Sequence, residues 1–243
     1  MKADKARRIL VTGGTSGIGQ AAATRLSVTD AVWVLGSTEQ SARAAGTEMG
    51  ARGWSGADVA DRESVDTAIE SALAGLGGLD AVFINAGIDG QALPAAELTI
   101  EGFRRVLEVN VIGAFNVAQA CLPYLSRPGT ILFNASVNAL RAESHFLDYN
   151  ASKAAVVSMA QTMALELAAE GITVLSLAPG YFPSRMTSPY LDDPQIREEL
   201  LQLIPARRFG SLDEIAEVVD FMLSPAARFM NGAVITIDGG RSI

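Results

Sequence analysis

Short apolar runs alternate with amphipathic stretches along the chain. Seven runs read as strands, at residues 9–12, 31–35, 53–56, 81–85, 130–134, 173–177 and 233–237. Most are apolar throughout rather than at every second position, as strands buried on both faces must be. Between them apolar residues recur at helical spacing over 18–26, 39–50, 62–73, 99–125, 149–170 and 212–223. Asp61 with Ser64, and Ser211 with Glu214, stand where helix-capping residues belong. Strand and helix in strict turn predict an α/β chain, its parallel strands joined by right-handed crossovers and covered by helices on both faces. No linker, repeat or low-complexity stretch interrupts the rhythm, so residues 1–243 read as a single domain. One segment departs from it. Residues 181–209 carry Pro183, Pro189, Pro194 and Pro205 around a short amphipathic piece, 195–204. So late an insertion is expected to be a lid or substrate-binding segment, with a plain surface excursion as the alternative.

Composition supports a sizeable core: 49% of the 243 residues are hydrophobic and 19% charged. The net charge of −8 and the lack of a dense basic patch argue against nucleic acid as a partner. Cys121 is the one cysteine, so no internal disulfide can form, which is compatible with a reducing compartment. Its apolar helical surroundings predict a small core residue. Residues 1–8 are basic, but Ile9-Leu10-Val11 is too short for a signal-peptide core and Gly13-Gly14 ends it. The richest apolar segment, 154–169, is broken by Gln161, Thr162 and Glu166, so no membrane span and a cytoplasmic location are expected.

Two local patterns carry chemistry. The first strand runs into Thr12-Gly13-Gly14-Thr15-Ser16-Gly17-Ile18-Gly19, and a helix follows. Glycines there permit a tight turn and let a pyrophosphate approach the main chain, while the helix N-terminus offers free N–H groups. The second pattern is Tyr149 and Lys153, four apart on one helix face. An ammonium beside a phenol favours the phenolate, so the pair is a candidate acid/base for carbonyl or alcohol chemistry.

Together with further motifs, these patterns resemble the short-chain dehydrogenase/reductase family in its compact single-domain branch, close to 3-oxoacyl reductases. The glycine loop fits T-G-x-x-x-G-x-G, and Tyr149 with Lys153 fits Y-x-x-x-K. Ser136 stands thirteen residues before Tyr149, at the place of the family's serine. Asn110, Asn85-Ala86-Gly87, Asp58-Val59, Pro179-Gly180 and Asp238-Gly239-Gly240 match further family positions in order. The resemblance implies a Rossmann-like, doubly wound parallel sheet of about seven strands. It also implies hydride exchange between a nicotinamide and a carbonyl or alcohol carbon. Tyr149 would donate the proton, and Lys153 would hold the ribose and lower the Tyr149 pKa. Ser136 would bind the carbonyl oxygen, and Asn110 would hold a relay water.

Cofactor contacts are expected from Gly13, Thr15, Ser16, Gly17, Ile18, Gly19, Ser37, Thr38, Asp58, Val59, Asn85, Ala86 and Gly87. Tyr149, Lys153, Pro179, Gly180, Phe182 and Ser184 complete that set, with Phe182 bulkier than the family's usual residue. No acid stands at Ser37, the expected end of the second strand, which favours NADP(H) over NAD(H). The Ser37 and Thr38 hydroxyls are expected to bind the extra phosphate, with Arg43 near, although Glu39 argues for NAD(H) and no arginine stands just after this point or at Ser16. Val137, Asn138, His145, Phe146, Tyr181, Met186 and Tyr190 are the candidate substrate wall, mostly apolar or aromatic. Arg141 and Arg185 are expected to be solvated. The expected activity is an NADP(H)-dependent ketoreductase acting on a medium-sized small-molecule carbonyl or alcohol. The alternatives are an NAD(H)-dependent alcohol dehydrogenase and a non-catalytic dinucleotide sensor. A homotetramer or homodimer, paired through the long helices, and no bound metal are expected.

Overall fold

The computed structural model describes residues 6–243; the first five residues of the basic N-terminal run lie outside the described residues. Seven parallel strands form one sheet in the order β3-β2-β1-β4-β5-β6-β7. They are β1 Arg8–Thr12, β2 Ala31–Gly36, β3 Gly53–Gly56, β4 Leu79–Ile84, β5 Leu125–Asn134, β6 Ile172–Pro179 and β7 Val234–Ile237. The continuous apolar runs have the expected cause. Leu10, Val82, Ile131 and Val174 point to one face, against Val65, Ile69, Val117 and Val156 of the helices there. Ile9, Val11, Phe83 and Leu132 point to the other, against Ala22, Leu26, Ile215 and Val219. Phe83 and Phe133, both fully buried on opposite faces, each stabilise the fold by about 2–3 kcal/mol.

The helices before residue 181 are α1 Gly17–Ser27, α2 Glu39–Glu48, α3 Arg62–Leu76, α4 Ile100–Leu107, α5 Gly113–Cys121 and α6 Leu147–Leu167. Within the proline-bearing segment 181–209, expected to be a lid, lie α7 Ser188–Leu191 and α8 Pro194–Gln202, and α9 Leu212–Met222 follows. Ser211 and Glu214 close a full capping box at α9. Asp61 caps α3 through the Glu63 N–H rather than with Ser64, whose hydroxyl accepts from the Asp58 N–H at 3.3 Å.

The single helix expected over 99–125 is instead two helices joined by a π-helical turn, Glu108–Ile112, and closed by a 3-10 turn, Leu122–Tyr124. The extra residue of a π turn weakens the helix ladder and is held by tertiary contacts. Here Asn110 supplies them, its carboxamide accepting from the Ile88 N–H at 2.8 Å and donating to the Ile88 carbonyl at 3.0 Å. By length and composition the stretch Ile100–Tyr124 is apolar enough to cross a bilayer, yet 56% of its apolar window is buried inside this fold. Cys121 is buried within it, and burial pushes its thiol pKa up, as suits a core residue.

Candidate active site

A cleft of ≈ 530 Å³ opens at the carboxyl ends of the strands, over the point where β1 lies between β2 and β4. Ligands of open α/β sheets bind at such a switch point because the crossover helices leave it on opposite faces. Each strand end delivers a segment to the cleft: the glycine loop after β1, Ser37 after β2, Asp58 after β3 and Asn85-Ala86-Gly87 after β4. Ser136 arrives after β5 and Gly180 after β6, and Tyr149 and Lys153 come from α6.

The loop glycines are required by close approach. Gly13 has a φ of 64°, and a Cβ on it would stand 2.9 Å from the Ala86 Cα. A Cβ on Gly19 would stand 2.2 Å from the Gly13 carbonyl oxygen, so this glycine packs beneath the loop and does not line the cleft. The Thr12 hydroxyl accepts from the main-chain N–H groups of Asn85 and Ala86 at 3.0 and 3.1 Å. Asn85 donates back to the Thr12 and Gly13 carbonyls, both at 3.1 Å. Asn134 then donates to Asn85 Oδ1 at 2.8 Å, tying β5 to β4 across the cleft floor.

Asn134, absent from the sequence expectation, is also the anchor of Lys153, whose Nζ donates to its carbonyl at 2.8 Å. Lys153 is 5% exposed. With no carboxylate bonded to it, burial lowers its pKa to about 8. Tyr149 lies beside it, the ammonium 5.6 Å from the ring centroid. The phenol pKa is pushed up rather than down. Desolvation is the main cause, the Ser136 hydroxyl opposes it, and the Asp89 and Glu143 carboxylates add to it. The lowering expected from Lys153 is not seen; burial sets the direction. Ser136 also accepts from the Asn138 N–H at 3.1 Å and so caps a short turn, Val137–Ala139, while lining the cleft. Asn110 stands behind Gly87, where a Cβ would lie 3.1 Å from Asn110 Oδ1 and 3.6 Å from Lys153 Nζ. Its two amide protons go to the Ile88 carbonyl and Ser152 Oγ, which leaves only oxygen acceptors for a water.

At the far end, Ser37 lines the cleft, while Thr38 caps α2 and Arg43 lies on a different surface. Glu39 is turned away: its carboxylate accepts from the Gly56 N–H at 2.8 Å. Asp58 lines the cleft facing Arg105 at 3.7 Å. Phe182 is accommodated by Gly210, where a Cβ would stand 2.2 Å from the ring.

Of the expected substrate wall, Met186 lines the cleft and the other six residues do not. Val137 is buried beneath it. Asn138 donates to Asn150 at 3.0 Å and to Glu143 at 3.3 Å, and the Tyr181 hydroxyl donates to the same Glu143 carboxylate. Phe146 meets Tyr190 edge to face at 6.0 Å, and Tyr190 donates to Asp89 at 2.9 Å. His145 is exposed in the left-handed region, with a φ of 68°. Asp89, Glu143 and the buried Asp148, which holds Gln91 at 3.0 Å, were not singled out by the sequence, because Tyr190, Tyr181 and Gln91, which they bind, lie 101, 38 and 57 residues away.

These residues fit a dinucleotide. The cleft has the volume for a large part of one. The cradle is closed to any Cβ, and Asn134 Oδ1 is a buried acceptor without a donor. Comparison with known proteins agrees. The family model described as enoyl-(acyl carrier protein) reductase matches residues 13–242. The chain belongs to the short-chain dehydrogenase/reductase family and is an oxidoreductase acting on CH–OH or C=O groups with a nicotinamide dinucleotide. It is 36% identical over 236 residues to the 3-oxoacyl-[acyl-carrier-protein] reductase MabA of Mycobacterium tuberculosis, covering 96% of this chain and 92% of that one. A 3-ketoacyl-(acyl-carrier-protein) reductase from Brucella melitensis complexed with NADH superposes with a TM-score of 0.90 at 30% identity, covering 97% and 98% of the two chains. A short chain dehydrogenase from Burkholderia cenocepacia in complex with NADP gives 0.90 at 32% identity, covering 98% of each chain.

Proposed function

We propose that this enzyme is an NADP(H)-dependent ketoreductase acting on a medium-sized, largely apolar carbonyl compound. One observation carries the reading: Tyr149, Lys153 and Ser136 share a wall of a cleft whose opposite end has the glycine loop. The cofactor, when bound, supplies the hydride. Ser136 donates to the carbonyl oxygen and holds it where negative charge develops. Tyr149 passes its proton to that oxygen, and its raised pKa keeps it protonated at neutral pH. Lys153 holds the ribose hydroxyls and, in its ammonium form, stabilises the phenolate left behind. Asn110 acts through its oxygen atoms and through the π turn that places it behind Lys153. NADP(H) is favoured because the residue that follows β2 at the cleft is Ser37 rather than an acid, and Glu39 is bonded to Gly56. Ketone reduction is supported by the names of the relatives from Mycobacterium and Brucella.

The same reading takes the protein as a homo-oligomer. Ile112 and Phe115 on the α4–α5 side and Leu165 on α6 are exposed apolar residues at 49%, 41% and 84%. Light scattering coupled to size exclusion tests this, and a clean monomer refutes it. The activity test is steady-state turnover of a carbonyl panel with each cofactor. A higher kcat/KM with NADH overturns the cofactor assignment. Tight binding of NADPH without turnover of any carbonyl overturns the enzyme assignment in favour of a sensor.

A further inference from the structure

Three cations line the cleft. Lys153 is buried at the carbonyl end, bonded to Asn134, and Arg105 faces the Asp58 carboxylate. The third, Arg185, comes from the lid, and among the described residues it belongs to no ion pair. It is exposed, as expected, and its Nη2 donates to Ser16 Oγ at 2.9 Å. Ser16 is the N-cap of α1, but its hydroxyl makes no capping bond, so the first-turn N–H groups remain available to an anion. Next to Arg185, the Ser184 Cβ stands 2.9 Å from where a Cβ on Gly17 would be. The lid therefore rests directly on the glycine loop, its free guanidinium at the mouth of the phosphate cradle.

We propose that Arg185 is the phosphate-binding cation of this enzyme, exchanging its bond to the Ser16 hydroxyl for a phosphate of the dinucleotide. A planar guanidinium binds phosphate oxygens in pairs and more strongly than it binds a neutral hydroxyl. The proposal rests on the dinucleotide reading of the cleft. The phosphate it engages belongs to the pyrophosphate or to the 2′ position, and comparison of NADPH with NADH separates the two.

The test is a fluorescence titration of wild type, Arg185→Gln and Arg185→Lys with NADPH and NADH at low and raised salt. Glutamine can still donate to Ser16 but lacks the charge. Its expected effect is a rise in Kd of about 5- to 20-fold, a size set by the loss of one charge-assisted bond, with a flatter salt dependence. Lysine is expected to recover part of the loss. An equal rise for both cofactors assigns the pyrophosphate, and a rise for NADPH alone assigns the 2′-phosphate; either supports the proposal. Wild-type binding that Arg185→Gln leaves unchanged overturns the proposal alone. A wild-type protein that binds neither dinucleotide overturns the reading of the cleft and the proposal with it. Arg43→Gln, on a separate surface, is the control expected to leave both affinities unchanged.

Discussion

On the nucleotide side of the cleft the walls are mostly main chain and glycine: Gly13, Gly17 and Gly36, with the Thr12–Asn85–Asn134 bonds beneath them. Beyond the carbonyl end, off the lining of the cleft, the packing is instead by long side chains reaching between distant segments. Tyr181 reaches Glu143 across 38 residues of sequence, and Tyr190 reaches Asp89 across 101. The first side is positioned by the strand ends of a rigid sheet. The second is positioned by the segment 181–209 through a few hydrogen bonds to the carboxylates of Glu143 and Asp89, which raise the Tyr149 pKa. The two regions are thus built from different materials, main chain and glycine in one and long side chains in the other.

Four measurements sharpen or break this contrast. The largest effect is expected at the junction of the two sides. Tyr149→Phe removes the proton donor and is expected to lower kcat by about 10²- to 10⁴-fold while leaving the NADPH Kd within about twofold. Residual turnover within tenfold of wild type would remove Tyr149 from the chemistry.

Gly19→Ala strikes the nucleotide side, forcing a Cβ to 2.2 Å from the Gly13 carbonyl oxygen and 2.4 Å from Asn85 Nδ2. It is expected to cost about 1–3 kcal/mol in urea unfolding and to weaken NADPH binding at least tenfold. A variant of wild-type stability and affinity would show that the loop yields.

Lys153→Met is expected to stabilise the cofactor-free protein at pH 7 while abolishing turnover. Burial brings the Lys153 pKa from 10.5 to about 8, a cost of about 3 kcal/mol to the charged folded form. The lost bond to Asn134 returns about 1 kcal/mol, leaving a gain of about 1–2 kcal/mol. The sign has a pH signature. The folded state releases this proton before the unfolded state does, so wild-type stability gains on the variant between about pH 8 and 10.5. Over the same rise through about pH 8 the free enzyme loses the ammonium, and its dinucleotide affinity is expected to fall. A variant less stable than wild type at pH 7 contradicts the account.

The smallest effects belong to the lid ties. Tyr190→Phe and Tyr181→Phe each remove one hydrogen bond to a carboxylate, worth about 1.5 kcal/mol or somewhat more. They are expected to raise the carbonyl KM up to about tenfold with kcat and cofactor Kd nearly unchanged, read from steady-state kinetics. A fall in cofactor affinity instead would show that the two sides are not separable.

Much of the nucleotide side was legible in the sequence because its determinants are local. A strand running into Thr12-Gly13-Gly14 and on to Gly17-Ile18-Gly19 needs no distant partner to be read as a turn and a helix start. Asn110 and Lys153 were legible as residues but not as geometry. The π turn that sets Asn110, and the burial that pushes Tyr149 up and Lys153 down, exist only once Ile88, Ser152 and Asn134 surround them. Six of the seven residues expected at the substrate wall stand off the cleft, because position along a loop does not say which way a side chain turns.

The sequence by itself determined the alternation of buried strands and amphipathic helices, and with it the sheet, the place of the cleft and the glycine cradle. These follow from periodicity and from backbone sterics, which act over a few residues. Tertiary structure alone decided the protonation balance of the Tyr149–Lys153 pair, the turning of Glu39 toward Gly56, and the placing of Arg185 on Ser16. Each of these depends on desolvation or on one side chain meeting another across the fold, and both are properties of three-dimensional proximity that no local spacing encodes.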